Sequence, residues 1–289
     1  AAQGAAGAQI DLADPLYWPG VIGVWADGAM CASGPGRVIV ATADPYTRLG
    51  ARRFNASGRL LWKSPRQLCQ SVPSHSSVLV LNLVAEPSKG EAAIFAWRHP
   101  LTAGACEARA QRIGANGRVR WGADGVSLGA IAGAEWPAGQ PWIQLVAKGD
   151  GGAIVVYSRS AARSLRLVAV SIAPDGTAGS PVNVVSSTSD DLSALQRVRV
   201  AVTDGGDGML LAYPDTTGAL HILRYTPGPG VRWDIALATP TDARAYWINE
   251  DGRGGALVAW LEGAGPRLQL KRIDGQGATT FDAASSTGV

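Results

Sequence analysis

Carboxylates set among glycines are the residues of this sequence that most resemble a chemical device. They occur at Asp27-Gly28, Gly149-Asp150-Gly151, Asp204-Gly205-Gly206-Asp207-Gly208 and Asn249-Glu250-Asp251-Gly252. Such loops can hold calcium, but a complete calcium loop needs oxygen ligands at alternating positions, as in D-x-[DN]-x-[DN]-G. None of the four has that spacing, so plain β-turns are expected and no metal site is assigned. His75, His99 and His221 lie far apart, without a Ser or Cys in a nucleophile context, and no G-x-S-x-G elbow is present. No GxGxxG or Walker loop follows a strand and opens a helix, so neither a nucleotide nor any other cofactor is expected. Cys31, Cys69 and Cys106 show no zinc-type spacing. Three cysteines allow at most one internal pair. Cys31 with Cys69 is the preferred pair if the protein is exported, and three buried thiols is the equal alternative.

Composition narrows the partners. The net charge is +3 over 289 residues, and the arginines are scattered along the chain instead of clustered. A nucleic-acid groove is therefore disfavoured. No apolar run reaches the roughly 18 residues that a membrane helix needs. The first residues, AAQGAAGAQ, lack the charged and apolar regions of a signal peptide, and they suit a mature end left after its removal. Gly (37) and Pro (17) are abundant, which favours many turns over long helices.

The elements that would position any site come from repetition. Gly90 to Leu128 reads GEAAIFAWRHPLTAGACEARAQRIGANGRVRWGADGVSL. An apolar run (Ala92–Trp97), a mixed strand (Glu107–Ile113), an Asn116-Gly117 hairpin signal and a fourth segment from Arg118 make one unit. The landmarks Arg37, Ala93, Ala153, Met209 and Ala256, and the glycines Gly58, Gly117, Gly176, Gly230 and Gly277, recur roughly every 47–60 residues. Both markers give the same five units: 16–70, 71–129, 130–187, 188–239 and 240–289, with 1–15 a tail or a ring-closing segment. Ile10-Asp11-Leu12 can add an edge strand to the last unit. About four strands a to d per unit, apolar on both faces, predict one all-β domain: a five-bladed β-propeller of four-stranded antiparallel blades. Large aromatics ending strand b (Trp97, Tyr157, Tyr213, Trp260) or on strand d (Trp62, Trp121, Trp233) are expected to anchor blade to blade.

The pattern DG-x-GGAI-x-x-W, then AQRI-x-x-x-G, then a Trp and G-V, resembles a degenerate propeller repeat of exported bacterial proteins. Gly90 to Leu128 carries it best, Lys148 to Gly176 and Asp251 to Gly277 well. The resemblance spans nearly the whole chain and implies a propeller and export, not a chemistry.

Five-bladed glycosidases have this size, and they place paired carboxylates on innermost strands. The strands expected there (Val21–Trp25, Val78–Val84, Trp142–Val146, Val198–Val202, Ala245–Ile248) hold no Asp or Glu. Asp44, Glu86, Asp215 and Glu262 lie nearer loops. Loop lengths suggest binding instead. The a–b and c–d connections read as short, whereas b–c and d–a connections are longer and differ among units, with Arg98 to Cys106 the longest b–c loop. Variable loops on a rigid scaffold are where recognition concentrates. Tyr46, Arg98, His99, Trp136, Arg159, Arg163 and Asp215 are the candidates on that face, and an aromatic with polar hydrogen-bonders suits a glycan or a cell-surface protein. The expectation is thus a non-enzymatic binder that is secreted, surface-bound or periplasmic. A structural module of a surface assembly and a divergent glycosidase are the alternatives.

Overall fold

The computed structural model describes residues 28–32, 35–44, 48–70, 81–85, 93–101, 105–131, 143–161, 164–187, 199–202, 208–215, 217–238, 246–262 and 267–286. These form β-strands and turns, with no helix among the described residues. Sheet one holds β1 (Gly28–Ala32), β2 (Arg37–Asp44), β3 (Arg48–Asn55) and β4 (Arg66–Cys69). Sheet two holds β5 (Leu81–Ala85), β6 (Ala93–Pro100), β7 (Cys106–Ile113) and β8 (Val126–Ile131). Sheet three holds β9 (Ile143–Ala147), β10 (Ala153–Ala161), β11 (Ser164–Ile172) and β12 (Val182–Ser187). Sheet four holds β13 (Arg199–Val202), β14 (Met209–Pro214), β15 (Leu220–Thr226) and β16 (Gly230–Ala238). Sheet five holds β17 (Tyr246–Glu250), β18 (Ala256–Glu262), β19 (Arg267–Ile273) and β20 (Thr279–Ser286). Each is a four-stranded antiparallel meander in chain order.

The first five residues of β6, β10 and β14 are apolar because both faces of these strands are covered. Along β6, Ala93, Phe95 and Trp97 join a core with Ile39, Leu49 and Leu68 of sheet one. The alternate residues Ile94 and Ala96 join a second core with Val155 and Tyr157 of sheet three. Sheets three and four share Ile154, Val156, Met209 and Leu211, and sheets four and five share Leu210, Ile222, Val258 and Trp260. Each large side chain so buried adds about 1.5–3 kcal/mol over exposure. Among the described residues no such core joins sheet five to sheet one.

Two devices repeat along the stack. The a–b turn carboxylates serve the backbone: Asp150 Oδ1 accepts the Gly152 amide at 2.7 Å, and Asp251 Oδ1 accepts those of Arg253 and Gly255, each at 2.8 Å. The paired glycines of this turn have a steric cause, since a Cβ on Gly255 would lie 2.1 Å from the Ile273 carbonyl oxygen. The second device is an arginine–tryptophan grip between neighbouring sheets. Arg53 Nη1 and Trp62 Nε1 of sheet one both donate to the Ala115 carbonyl in the c–d turn of sheet two, at 3.0 and 2.9 Å. Arg112 Nη1 and Trp121 Nε1 of sheet two do the same to Pro174 of sheet three, each at 3.1 Å. Arg224 Nη1 and Trp233 Nε1 of sheet four donate to Gly275 of sheet five at 2.6 and 3.1 Å. Gln111 completes the unit, accepting the Trp121 amide at 2.9 Å and donating to Gly122 O at 2.7 Å. The AQRI segment and the following Trp are therefore structural.

Several expectations need correction. Strand a of the first sheet is Gly28–Ala32, paired with β2 from Gly28↔Thr42 to Ala32↔Val38; Val21–Trp25 lies outside the described residues. Strand d starts late. Leu60, Val119 and Ala178 make single bridges, and the chain then bends before β4, β8 and β12 begin. The c–d connections of sheets one to three are thus not short. Both ends of the supposed long loop from Arg98 to Cys106 are strand, with pairing maintained out to Pro100↔Cys106. Innermost strand β17 extends to Glu250, so that set does carry one carboxylate.

Candidate functional site

Strand register places the sequence-derived candidates. The pairs Ala93↔Ile113, Ala153↔Ile172, Met209↔Tyr225 and Ala256↔Ile273 open the b–c ladders of sheets two to five at the same end. Counting along from them, Trp97, Tyr157, Tyr213 and Trp260 are equivalent, and His99, Arg159, Asp215 and Glu262 follow two residues later. Three of the seven candidates, His99, Arg159 and Asp215, thus occupy one position in three successive sheets. Arg159 is exposed on β10, Asp215 is half-buried at the start of the b–c turn, and His99 is buried on β6. Arg98 points the other way along β6, where its Nε lies 3.0 Å from Cys106 Sγ. Tyr46, Trp136 and Arg163 lie outside the described residues.

Around His99 the register gathers a polar group that loop-based reasoning missed. Strand alternation puts His99, Glu107, Arg109 and Gln111 on the face turned to sheet one, with His99↔Glu107 and Trp97↔Arg109 directly paired. Arg109 Nε donates to Glu107 Oε1, and Ser127 Oγ donates to Glu107 Oε2. Arg109 Nη1 also donates to the Asp124 carbonyl at 3.1 Å. Asp124 Oδ1 in turn accepts the Gln70 amide at 2.8 Å and lies 3.5 Å from Cys69 Sγ, linking the group to sheet one. Cys69 and Cys106 are buried thiols, so the expected Cys31–Cys69 disulfide is not formed; Cys69 packs in the sheet-one core and faces Asp124 instead. The signal available in the sequence was the alternation Glu107-x-Arg109-x-Gln111 on one strand face.

Two buried nitrogens in this group, His99 Nδ1 and Trp97 Nε1, have no hydrogen-bond partner among the described residues. Burial, and then the Arg109 guanidinium, push the His99 imidazole below its ordinary range, against the opposing influence of Glu107 and Asp124. His99 is therefore neutral at pH 7, with a nitrogen ready to exchange a hydrogen bond.

Sheet four carries a second polar group at the equivalent place. His221 Nδ1 lies 2.9 Å from Asp234 Oδ1, and its Nε2 lies 3.4 Å from Asp215 Oδ2. Tyr213 Oη donates to Asp234 Oδ2 at 2.5 Å, and its ring stacks on His221 with centroids 5.1 Å apart. Burial, then the hydrogen bond to Asp234, push the Tyr213 phenol far above its ordinary range. Burial also raises Asp215, but hydrogen bonds from the Thr217 hydroxyl and the Ala219 and Thr217 amides outweigh it and hold the carboxyl low. This group is internally satisfied, whereas the sheet-two group is not. Among the described residues no cluster of three or more His, Cys, Asp or Glu side chains has metal-binding geometry.

No protein-family model and no curated protein matches the chain. Solved structures do match in shape. BP39L lectin from Burkholderia pseudomallei aligns over 89% of this chain and 69% of its own, with 12% identity and a TM-score of 0.56. A mutant of AofleA from Arthrobotrys oligospora aligns over 91% and 73%, with 10% identity and a TM-score of 0.48. Aleuria aurantia lectin, described as a six-bladed β-propeller with a novel fucose recognition mode, aligns over 91% and 79%, with 14% identity and a TM-score of 0.43. At such identities the likeness is one of fold alone: this chain shares an all-β architecture of antiparallel sheets with BP39L lectin.

Proposed function

We propose that this protein is an exported, non-enzymatic β-propeller of five blades that binds a glycan at the boundary between sheets one and two, at the b–c end. The observation that carries the proposal is the pair of buried, unpartnered nitrogens, His99 Nδ1 and Trp97 Nε1, beside the Glu107–Arg109–Ser127 group. Buried polar atoms are nearly always hydrogen-bonded, and an orphan marks a water or ligand position. A sugar presents adjacent hydroxyls that each donate and accept. A carboxylate, a guanidinium, a neutral imidazole and an indole N–H together supply both halves of such bonds. The side chains of Glu107 and Arg109 reach the surface, which gives the group a solvent edge. The shared fold with a lectin supports sugar as the ligand class. The likeness to degenerate propeller repeats of exported bacterial proteins supports export.

A glycan array tests the proposal, with the wild-type chain and the Arg109→Ala and Asp215→Ala variants. The expected result is one family of sugars retained by wild type and Asp215→Ala and lost by Arg109→Ala. No bound sugar, or equal binding by all three, overturns it.

A further inference from the structure

Arginines that are scattered in the sequence are gathered by the fold at the c–d end of sheets one and two. One turn recurs there in four of the five sheets. It is closed by the amides of Asn55, Gly114, Ala173 and Asp274, which donate to the carbonyls of Arg59, Arg118, Thr177 and Ala278. The turn therefore asks for no cation at its last position, since Thr177 and Ala278 serve equally well. Sheets one and two nevertheless place Arg59 and Arg118 there, both exposed. Sheets three and five instead hold an acid within the turn, Asp175 and Asp274. Lys63, Arg66 and Arg120 join the two arginines. Arg66 of sheet one lies against the turn of sheet two, where a Cβ on Gly117 would meet its Nε at 2.7 Å. Arg120 flanks the same turn, its Nε 3.0 Å from a Cβ on Gly114. Lys63 follows Trp62, which is bonded to Ala115 of that turn. None of these five cations pairs with a carboxylate among the described residues, and residues 48–70 contain no Asp or Glu. Between Arg59 and Lys63 stand Leu60, 37% exposed, and Leu61, 41% exposed.

We propose that this end of the molecule docks on an anionic lipid surface. Cations in a group of roughly four to eight attract anionic headgroups, and apolar side chains beside them enter the boundary between headgroups and acyl chains. The leucines decide against other polyanions. A nucleic acid needs aromatic platforms for its bases, and at this end Phe54, Trp62 and Trp121 are all buried. A soluble acidic polymer would use the cations and leave both leucines in water. Docking through the c–d turns would turn the far end of the ladder, where His99 pairs with Glu107, away from the lipid. Lipid docking of this kind does not depend on a sugar at that far end.

The test is co-sedimentation of the full chain with vesicles of phosphatidylcholine mixed with phosphatidylglycerol, beside vesicles of phosphatidylcholine alone. The mixed vesicles should retain the protein and the neutral ones should not. Salt at roughly 0.5 M should release it, because screening then acts within about 4 Å. Arg59→Glu with Arg118→Glu should weaken binding at least tenfold, since each basic residue near the surface contributes about a factor of five. Leu60→Ser with Leu61→Ser should weaken it several-fold at unchanged charge. Arg166→Glu with Arg267→Glu, an equal charge change at exposed positions near the b–c end, should leave it within about twofold of wild type. Circular dichroism would confirm that each variant stays folded. No binding to the mixed vesicles, equal binding to both kinds, or equal loss in the two charge-reversed proteins overturns the proposal. A leucine variant that binds the mixed vesicles as wild type does overturns it in favour of a soluble acidic polymer.

Discussion

Trp121→Phe isolates the grip that joins sheet two to sheet three. The indole N–H donates to the Pro174 carbonyl at 3.1 Å from a side chain that is almost wholly buried. Phenylalanine keeps a ring and loses that donor, at about 1 kcal/mol for a net hydrogen bond. The smaller ring leaves a void against Gly176, adding about 1 kcal/mol. Arg112 Nη1 still serves the same carbonyl, so Pro174 O is not orphaned and the total should be about 2 kcal/mol. That residual bond makes the reasoning sharper in a double-mutant cycle. Arg112→Met alone leaves the indole in place, but with Trp121→Phe it strips the carbonyl of both protein donors; Pro174 is exposed, so water replaces part of what is lost and the added cost falls at the low end of about 1–3 kcal/mol. The double variant should therefore lose more than the sum of the singles, by roughly 0.5–1 kcal/mol. Urea unfolding followed by fluorescence of the remaining tryptophans measures all four proteins. A Trp121→Phe loss below about 0.5 kcal/mol, within the range of surface substitutions, or strict additivity, would refute the shared-carbonyl account.

Other outcomes follow from the same geometry. Gly176→Ala should destabilise by more than about 1 kcal/mol, because φ is +94° and the new Cβ would lie 2.7 Å from Trp121 Cδ1; Trp121→Ala should remove the steric share of that loss, which thermal unfolding of both backgrounds can read. His99 has a folded-state pKa below its ordinary 6.5, so the unfolded chain takes up more protons as pH falls through 6.5. Stability should decline over that window and level off below the folded value, and His99→Gln should flatten this part of the profile in pH-dependent urea titrations.

The extent to which the sequence disclosed the molecule depended on periodicity. Second strands such as Ala93–Trp97 and Met209–Tyr213 are buried on both faces and read as unbroken apolar runs, and three of the c–d turns announce themselves through Asn116-Gly117, Asp175-Gly176 and Asp274-Gly275. Strand d was less legible. The bend after Val119 is held by Gln111 and the indole of Trp121, contacts that span the unit and leave no local propensity signal. Hairpin length was misjudged for a similar reason. Arg98, His99 and Arg159 look like loop residues by polarity, yet cross-strand pairing carries β6 and β10 past them. The polar group at Glu107, Arg109 and Ser127 escaped because its members are on two strands and converge only once register is set. Cys69 was assigned by proximity in sequence to Cys31, whereas its surroundings are the sheet-one core and Asp124.

Affinity at the sheet-one/sheet-two boundary bears most directly on the function proposed for this chain. Titration calorimetry would compare wild type with Glu107→Gln, using the sugar that the array selects and confirming that both proteins remain folded. Replacing the carboxylate removes a charge-assisted acceptor worth about 1.5–3 kcal/mol, so Kd should weaken roughly 10- to 100-fold. An unchanged Kd in Glu107→Gln would contradict the placing of the sugar site beside Glu107 and Arg109.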